Sequence, residues 1–122
     1  MQWELVAERP IYLQLMEQIQ AGIISGTFKP GDKLPSVRDL AAEAMVNPNT
    51  MQKALTELER IGLVYANRTS GRFITSDEAM IIKLREQSAK EQAVEFLERM
   101  KQLGFTPEET LALVTNIVKS PH

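Results

Sequence analysis

Cysteine is absent from this sequence. Its absence removes disulfide frameworks, thiol catalysis and cysteine-based zinc sites. The one histidine, His122, ends the chain, where it cannot be held in a site. No serine or threonine has a partner base, and no glycine-rich phosphate loop occurs, so an enzyme, a metal and a cofactor are all unexpected. The methionines at 16, 51 and 100 sit at helical spacing among other apolar residues and are read as core rather than ligands. No apolar stretch approaches a membrane span. The opening MQWELVAERP has no basic region followed by an apolar run, so a signal peptide is not expected. The simplest reading is a soluble cytoplasmic protein.

What is present is a chain of 122 residues with a formal net charge of −2. That length suits one domain, or one small domain with an appendage, and buries roughly two thirds of its unfolded surface. The total charge hides an asymmetry. Residues 29–72 carry seven Lys/Arg against five Asp/Glu, whereas residues 1–28 carry one against three and residues 73–122 six against eight. A nucleic-acid reader needs a local basic patch and tolerates a negative total.

The most informative stretch is LPSVRDLAAEAMVNPNTMQKAL at 34–55, which reads as two short helices joined by a tight turn. Pro35 keeps Leu34 extended. Ser36 caps the first helix, and Asp39 makes a weak capping box, Asp being shorter than the preferred Glu. Val37, Leu40, Ala41 and Ala44 form one apolar face. The pattern breaks at Met45-Val46. Asn47 then caps a second helix, and Pro48 suits its first position. Met51, Ala54, Leu55, Leu58 and Ile61 gather on the core side. Asn49, Gln52, Lys53 and Thr56 gather opposite, with no carboxylate among them. Such a set can hydrogen-bond to base edges or phosphates, and a carboxylate there would be repelled. The plain alternative is a solvated polar face. Beyond Gly62, Leu63–Ala66 and Arg72–Thr75 are strand-forming runs around the polar loop Asn67-Arg68-Thr69-Ser70-Gly71, which predicts a hairpin.

LPSVRDLA at 34–41, Val46-Asn47-Pro48-Asn49-Thr50, and ALTELERIGLVYANRTSGRFI at 54–74 together resemble the winged helix-turn-helix domain of GntR-type bacterial transcriptional regulators. The short chain is similar to the YtrA-type subfamily, which carries a small helical tail in place of a ligand-binding domain. The resemblance implies a mainly α fold with a small β-hairpin wing: a winged helix-turn-helix domain over 1–75 and a two-helix dimerisation tail over 76–122. It implies a double-stranded DNA operator read as an inverted repeat by a homodimer, and it leaves any effector unassigned. The site it implies comprises Ser36 and Arg38 on the first helix of the pair. Asn47, Asn49, Thr50, Gln52 and Lys53 follow on the second, and Arg68, Ser70, Gly71 and Arg72 on the wing. Two positions depart from the family pattern. Thr69 stands where glycine is usual, which implies a stiffer or differently shaped wing tip. Met45 stands at another frequent glycine, so it must avoid positive φ, tolerate strain or plug into the core.

The flanks complete the reading. Residues 10–25 form a first helix, with Pro10 at an early position, Ile11, Leu15, Ile19 and Ile23 buried alongside Tyr12, Met16 and Ile24, and Gly26 as its stop. Asp32-Lys33-Leu34 suits a short extended piece beside the hairpin. Trp3 is expected to pack. Residues 77–103 form a long helix from Asp77 to Gly104 that buries Ala93, Phe96, Leu97, Met100 and Leu103. Thr106 and Glu109 make a capping box for a last helix with Leu111, Leu113, Val114, Ile117 and Val118 on its apolar side. Two such helices cannot cover each other, so the leftover face predicts a second copy, with folding back onto the same chain as the alternative. A winged-helix module for protein contact is the runner-up function. RNA binding is weaker, because Tyr65 and Phe73 read as core rather than as exposed stacking platforms.

Overall fold

The computed structural model describes residues 1–120, so His122 lies outside the described residues. Five helices and one hairpin follow in order: α1 (Ile11–Ser25), α2 (Val37–Ala44), α3 (Pro48–Arg60), β1 (Val64–Asn67), β2 (Gly71–Ile74), α4 (Glu78–Gln102) and α5 (Pro107–Lys119). None of the described helices is long and apolar enough to cross a membrane. The chain divides into two compact units, Met1–Leu84 and the residues from Arg85 onward.

In the first unit α3 is the centre, packing on α1, α2 and β1. The apolar periodicity explains why. Met51, Ala54, Leu55 and Leu58 of α3 meet Leu15, Ile19 and Ile23 of α1 and Leu40, Ala41 and Ala44 of α2 in one buried cluster, which Leu34, Leu63, Val64 and Ile74 complete. Pro10 sits one residue outside α1 as its cap, and Gly26 closes the helix with φ 85°. Trp3 packs against this core, and its indole N–H donates to Glu43 at 3.2 Å.

A clasp that the sequence did not suggest fastens the N-terminal arm. Gln14 is buried, and its amide nitrogen donates to the carbonyls of Val6 at 2.8 Å and Arg9 at 2.9 Å. Its amide oxygen accepts the Val6 N–H at 2.8 Å. One turn later Gln18 repeats the exchange with both backbone groups of Glu4. A side-chain amide can serve a backbone N–H and C=O together, and losing this one forfeits three part-buried hydrogen bonds. Gln14→Ala is therefore expected to destabilise the fold by about 1–3 kcal/mol, read as a lower midpoint in urea unfolding. An unchanged midpoint would mean that water replaces the clasp at no cost.

The turn between α2 and α3 resolves the question at Met45. The residue adopts the left-handed conformation, φ 58° and ψ 46°. Its side chain is 90% exposed, so it does not plug into the core. The backbone dictates this. Val46 N–H bonds to Ala41 C=O at 3.0 Å and Met45 N–H to Ala42 C=O at 3.2 Å. That is the Schellman pattern, which needs a left-handed residue at this position whatever its side chain. Val46 supplies the accompanying apolar contact with the core. Met45→Gly is expected to relieve the side-chain clash and raise stability by about 0.5–1 kcal/mol, the gain being reduced by the extra unfolded-state freedom of glycine. The same urea experiment reads it, and a lower midpoint would show that the entropy term dominates.

The hairpin pairs Val64 with Ile74, Tyr65 with Phe73, Ala66 with Arg72 and Asn67 with Gly71. The segment before α2 adds to it as expected: Lys33 bridges Phe73, Leu34 N–H bonds to Arg72 C=O at 2.9 Å and Ile74 N–H to Asp32 C=O at 2.8 Å. The aromatic pair, however, is not core. Tyr65 is 46% exposed and stacks on half-buried Phe73 with ring centroids 5.5 Å apart. The two-residue period of a strand gives the reason. Val64 and Ile74 take the core side, so Tyr65 and Phe73 must point the other way.

The first unit runs beyond Thr75, where the sequence divided the chain. Met80, Ile81 and Leu84 in the first turns of α4 pack against its core. Asp77 starts the helix by accepting Met80 N–H at 3.1 Å. In the second unit the capping box of α5 is complete, Glu109 N–H reaching Thr106 Oγ1 at 3.1 Å and Thr106 N–H reaching the Glu109 carboxylate at 3.0 Å. The expected burial of the tail is not achieved within the chain. No residue of α4 is buried. Phe96 and Met100 are half-buried, while Ala93, Leu97, Leu103, Leu111, Leu113, Ile117 and Val118 are exposed.

Candidate nucleic-acid interface

The outward face of α3 carries Asn49, Gln52, Lys53 and Thr56, all exposed, while Thr50 is half-buried at its first turn. Asn47 fixes where this face begins. Its side-chain oxygen accepts Asn49 N–H at 2.7 Å, which pairs one of the orphan amides of the helix start. Gln52 lies one turn from Thr56, and its amide donates to the hydroxyl at 3.3 Å, a long and easily exchanged bond. Lys53 points back over α1, its ammonium 3.9 Å from the ring centroid of Tyr12. The carboxylates of the helix are engaged elsewhere: Glu57 pairs with Arg60 at 2.8 Å, and Glu59 pairs with Arg72 of β2. The outward face therefore stays free of negative charge, as its composition suggested.

On α2, Ser36 is the cap, its hydroxyl accepting Asp39 N–H at 3.1 Å. This is the half of the capping box made by the serine. Arg38 is exposed, and among the described residues it forms no ion pair with Asp39 or Glu43. Its guanidinium is available to an outside acceptor.

The wing meets α2 across a groove of about 640 Å³ lined by Lys33, Leu34, Ser36, Asp39 and Ser70–Arg72. Thus Ser36, Ser70, Gly71 and Arg72, far apart in sequence, share one concavity. Gly71 has φ 103°, which favours glycine, while a Cβ there would meet Lys33 Cε only at the ordinary contact distance of 3.4 Å. At the tip, Asn67 Oδ1 accepts both the N–H and the hydroxyl of Thr69 at 3.1 Å. Thr69 keeps negative φ, because the left-handed residue of this loop is Gly71. Threonine in place of the family's usual glycine therefore needs no unusual backbone and gives a tied tip, with Arg68 exposed beside it. Arg72 differs from Arg68, because its half-buried guanidinium is held by Glu59 and links the wing to α3. Sequence reasoning placed Lys33 in an extended piece beside the hairpin but not among the site residues, although it directly precedes the LPSVRDLA motif. Only the extended pairing with β2 brings it to the wing.

A helical pair with a polar outward helix, followed by a wing, defines a DNA-binding winged helix-turn-helix transcription regulator. The model of "Bacterial regulatory proteins, gntR family" matches residues 11–74, and the chain belongs to that family. It is 41% identical over 105 residues to the uncharacterized HTH-type transcriptional regulator YhcF of Bacillus subtilis (strain 168), covering 86% of this chain and 87% of the relative. It is 47% identical over 68 residues to the HTH-type transcriptional repressor YtrA of the same organism, covering 56% of this chain and 52% of that protein. Among solved structures, a GntR family transcriptional regulator from Listeria monocytogenes superposes with TM-score 0.85 at 38% identity, over 92% of this chain and 98% of the other. The DNA-binding domain of AraR, solved in complex with operator ORE1, superposes with TM-score 0.53 at 31% identity, over 62% of this chain and 94% of that domain.

Proposed function

We propose that this regulator acts in the cytoplasm as a repressor, binding an inverted-repeat operator as a homodimer joined through α4 and α5. The observation that carries the DNA-contact assignment is the carboxylate-free outward face of α3 beside an Arg38 that has no ion-pair partner among the described residues. On this reading Asn49 and Gln52 read base edges, since amide side chains pair with adenine in the major groove. Thr50 and Lys53 hold the backbone, Lys as a point charge on phosphate. Asn47 sets the start of the reading helix, and Arg38 enters from α2. Ser36, Arg68, Ser70, Gly71 and Arg72 address the flanking backbone from the groove and wing tip, Arg72 through its hold on the wing.

The dimer is supported by the exposed apolar side of the tail. Val94, Leu97, Phe105 and Pro107 also line an open groove of about 650 Å³ there. Contiguous apolar surface of this kind marks an association site. Repression is supported by the name of the YtrA relative.

The test is duplex DNA titration over a range of salt. Binding should weaken steeply with salt, because phosphate contacts release counterions. Operators selected from a randomised library by wild type and by Gln52→Ala are expected to differ at one or two base positions. Binding that ignores salt would reject the DNA-contact assignment. A Gln52→Ala variant that weakens every sequence equally would reject base reading by Gln52.

A further inference from the structure

We infer that Tyr12 of α1 is a positioning residue for the DNA-binding lysine of α3, a role that rests on the phosphate contact proposed for Lys53. The Tyr12 ring is half-buried and packs against the core of the first unit, so it is a fixed platform. The Lys53 ammonium lies above that platform, 3.9 Å from the centroid, within the range in which a cation is drawn to a ring face. Among the described residues no carboxylate pairs with Lys53. The choice of partner matters electrostatically. A carboxylate would hold the ammonium but cancel its charge and repel phosphate. An aromatic face holds it while leaving the full positive charge and the N–H donors that point away from the ring. An unrestrained lysine must surrender the freedom of a four-carbon stem on reaching a phosphate. A lysine already resting on Tyr12 surrenders less, which strengthens binding without a new contact to DNA. Tyr12 thereby brings α1, the helix behind the reading pair, into the DNA-binding surface.

The full-length chain is titrated with mixed-sequence duplex DNA at several salt concentrations, as wild type, Tyr12→Phe, Tyr12→Leu, Lys53→Ala and Tyr12→Leu with Lys53→Ala. Mixed sequence suffices because a phosphate contact does not depend on bases. Lys53→Ala is expected to lower the salt slope by about one. Tyr12→Phe, which keeps the ring face, should bind like wild type. Tyr12→Leu should bind about twofold and at most about fivefold more weakly, because a resting contact can favour the bound geometry by no more than its own energy, with the slope unchanged. In the Lys53→Ala background Tyr12→Leu should do nothing further. In the unbound wild-type chain the ε protons of Lys53 should resonate upfield through the ring current, a reading that needs no variant to fold. Equal losses from Tyr12→Leu in both backgrounds would show a merely structural role and overturn the inference. So would tighter binding by Tyr12→Leu, an equal loss in Tyr12→Phe, or an ordinary ε-proton shift. If wild type ignores duplex DNA, or Lys53→Ala leaves both affinity and slope intact, the phosphate contact fails first and the inference falls with it.

Discussion

Phe96→Glu combined with Met100→Lys is expected to yield a monomer whose affinity for the full operator falls by about a hundredfold or more, the loss that follows when two linked binding events become one. Both side chains are half-buried within a single chain, and the apolar residues around them are exposed. The pair is spaced one turn apart with the acid N-terminal to the base, an arrangement that supports a helix. The substitution therefore sets charge beside the exposed apolar side proposed as the seam, while its spacing favours the α4 helix. A single winged helix touches one half-site, which gives little discrimination against a genome of competing sequence. Two copies related by a two-fold axis hold their reading helices about one DNA turn apart, roughly 34 Å, or a multiple of it.

A shortened chain should behave like the double variant, provided that it is cut in the right place. Ending at Thr75 would strip Met80, Ile81 and Leu84 from the core they pack against. Ending at Leu84 keeps the whole first unit and is expected to give a folded monomer. Sedimentation, with titration of full and half operators, distinguishes the cases. A full-length protein that is monomeric at micromolar concentration and binds both DNAs equally would sink the dimer.

Arg38→Ala is expected to leave the melting temperature nearly unchanged while operator binding falls by about 1–3 kcal/mol, the scale of one lost base contact. The separation of the two readouts follows from the position. The side chain is exposed, and neither Asp39 nor Glu43 is paired with it among the described residues. Substitution at such a surface site seldom moves stability by more than about 0.5 kcal/mol. A large loss of stability with unchanged affinity per folded molecule would return Arg38 to the scaffold.

The features legible in the sequence were those decided locally. Helix faces at 11–25 and 48–60 follow from apolar periodicity, and their burial follows in turn. The caps at Ser36, Asn47 and Thr106 need only a side-chain oxygen within reach of an amide two or three residues on. The hairpin and its extended neighbour at Lys33 follow from strand-forming runs around a short polar loop. The polar face of α3 was readable for the same reason, since spacing alone collects Asn49, Gln52 and Lys53.

Tertiary structure decided whatever depends on a partner distant in sequence. Gln14 clasps an arm that no periodicity announces, because its value lies in backbone groups eight and five residues away. Glu59 claims Arg72, so two wing arginines that look alike in sequence divide into one exposed and one held. Tyr65 faces outward because Val64 and Ile74 win the core side, a choice between two faces that hydrophobicity alone leaves open. Lys53 gains an aromatic platform only once α1 lies against α3. Local rules choose the elements and their faces. Which surfaces then meet depends on close packing among all the elements together, and so no single stretch of this chain contains it.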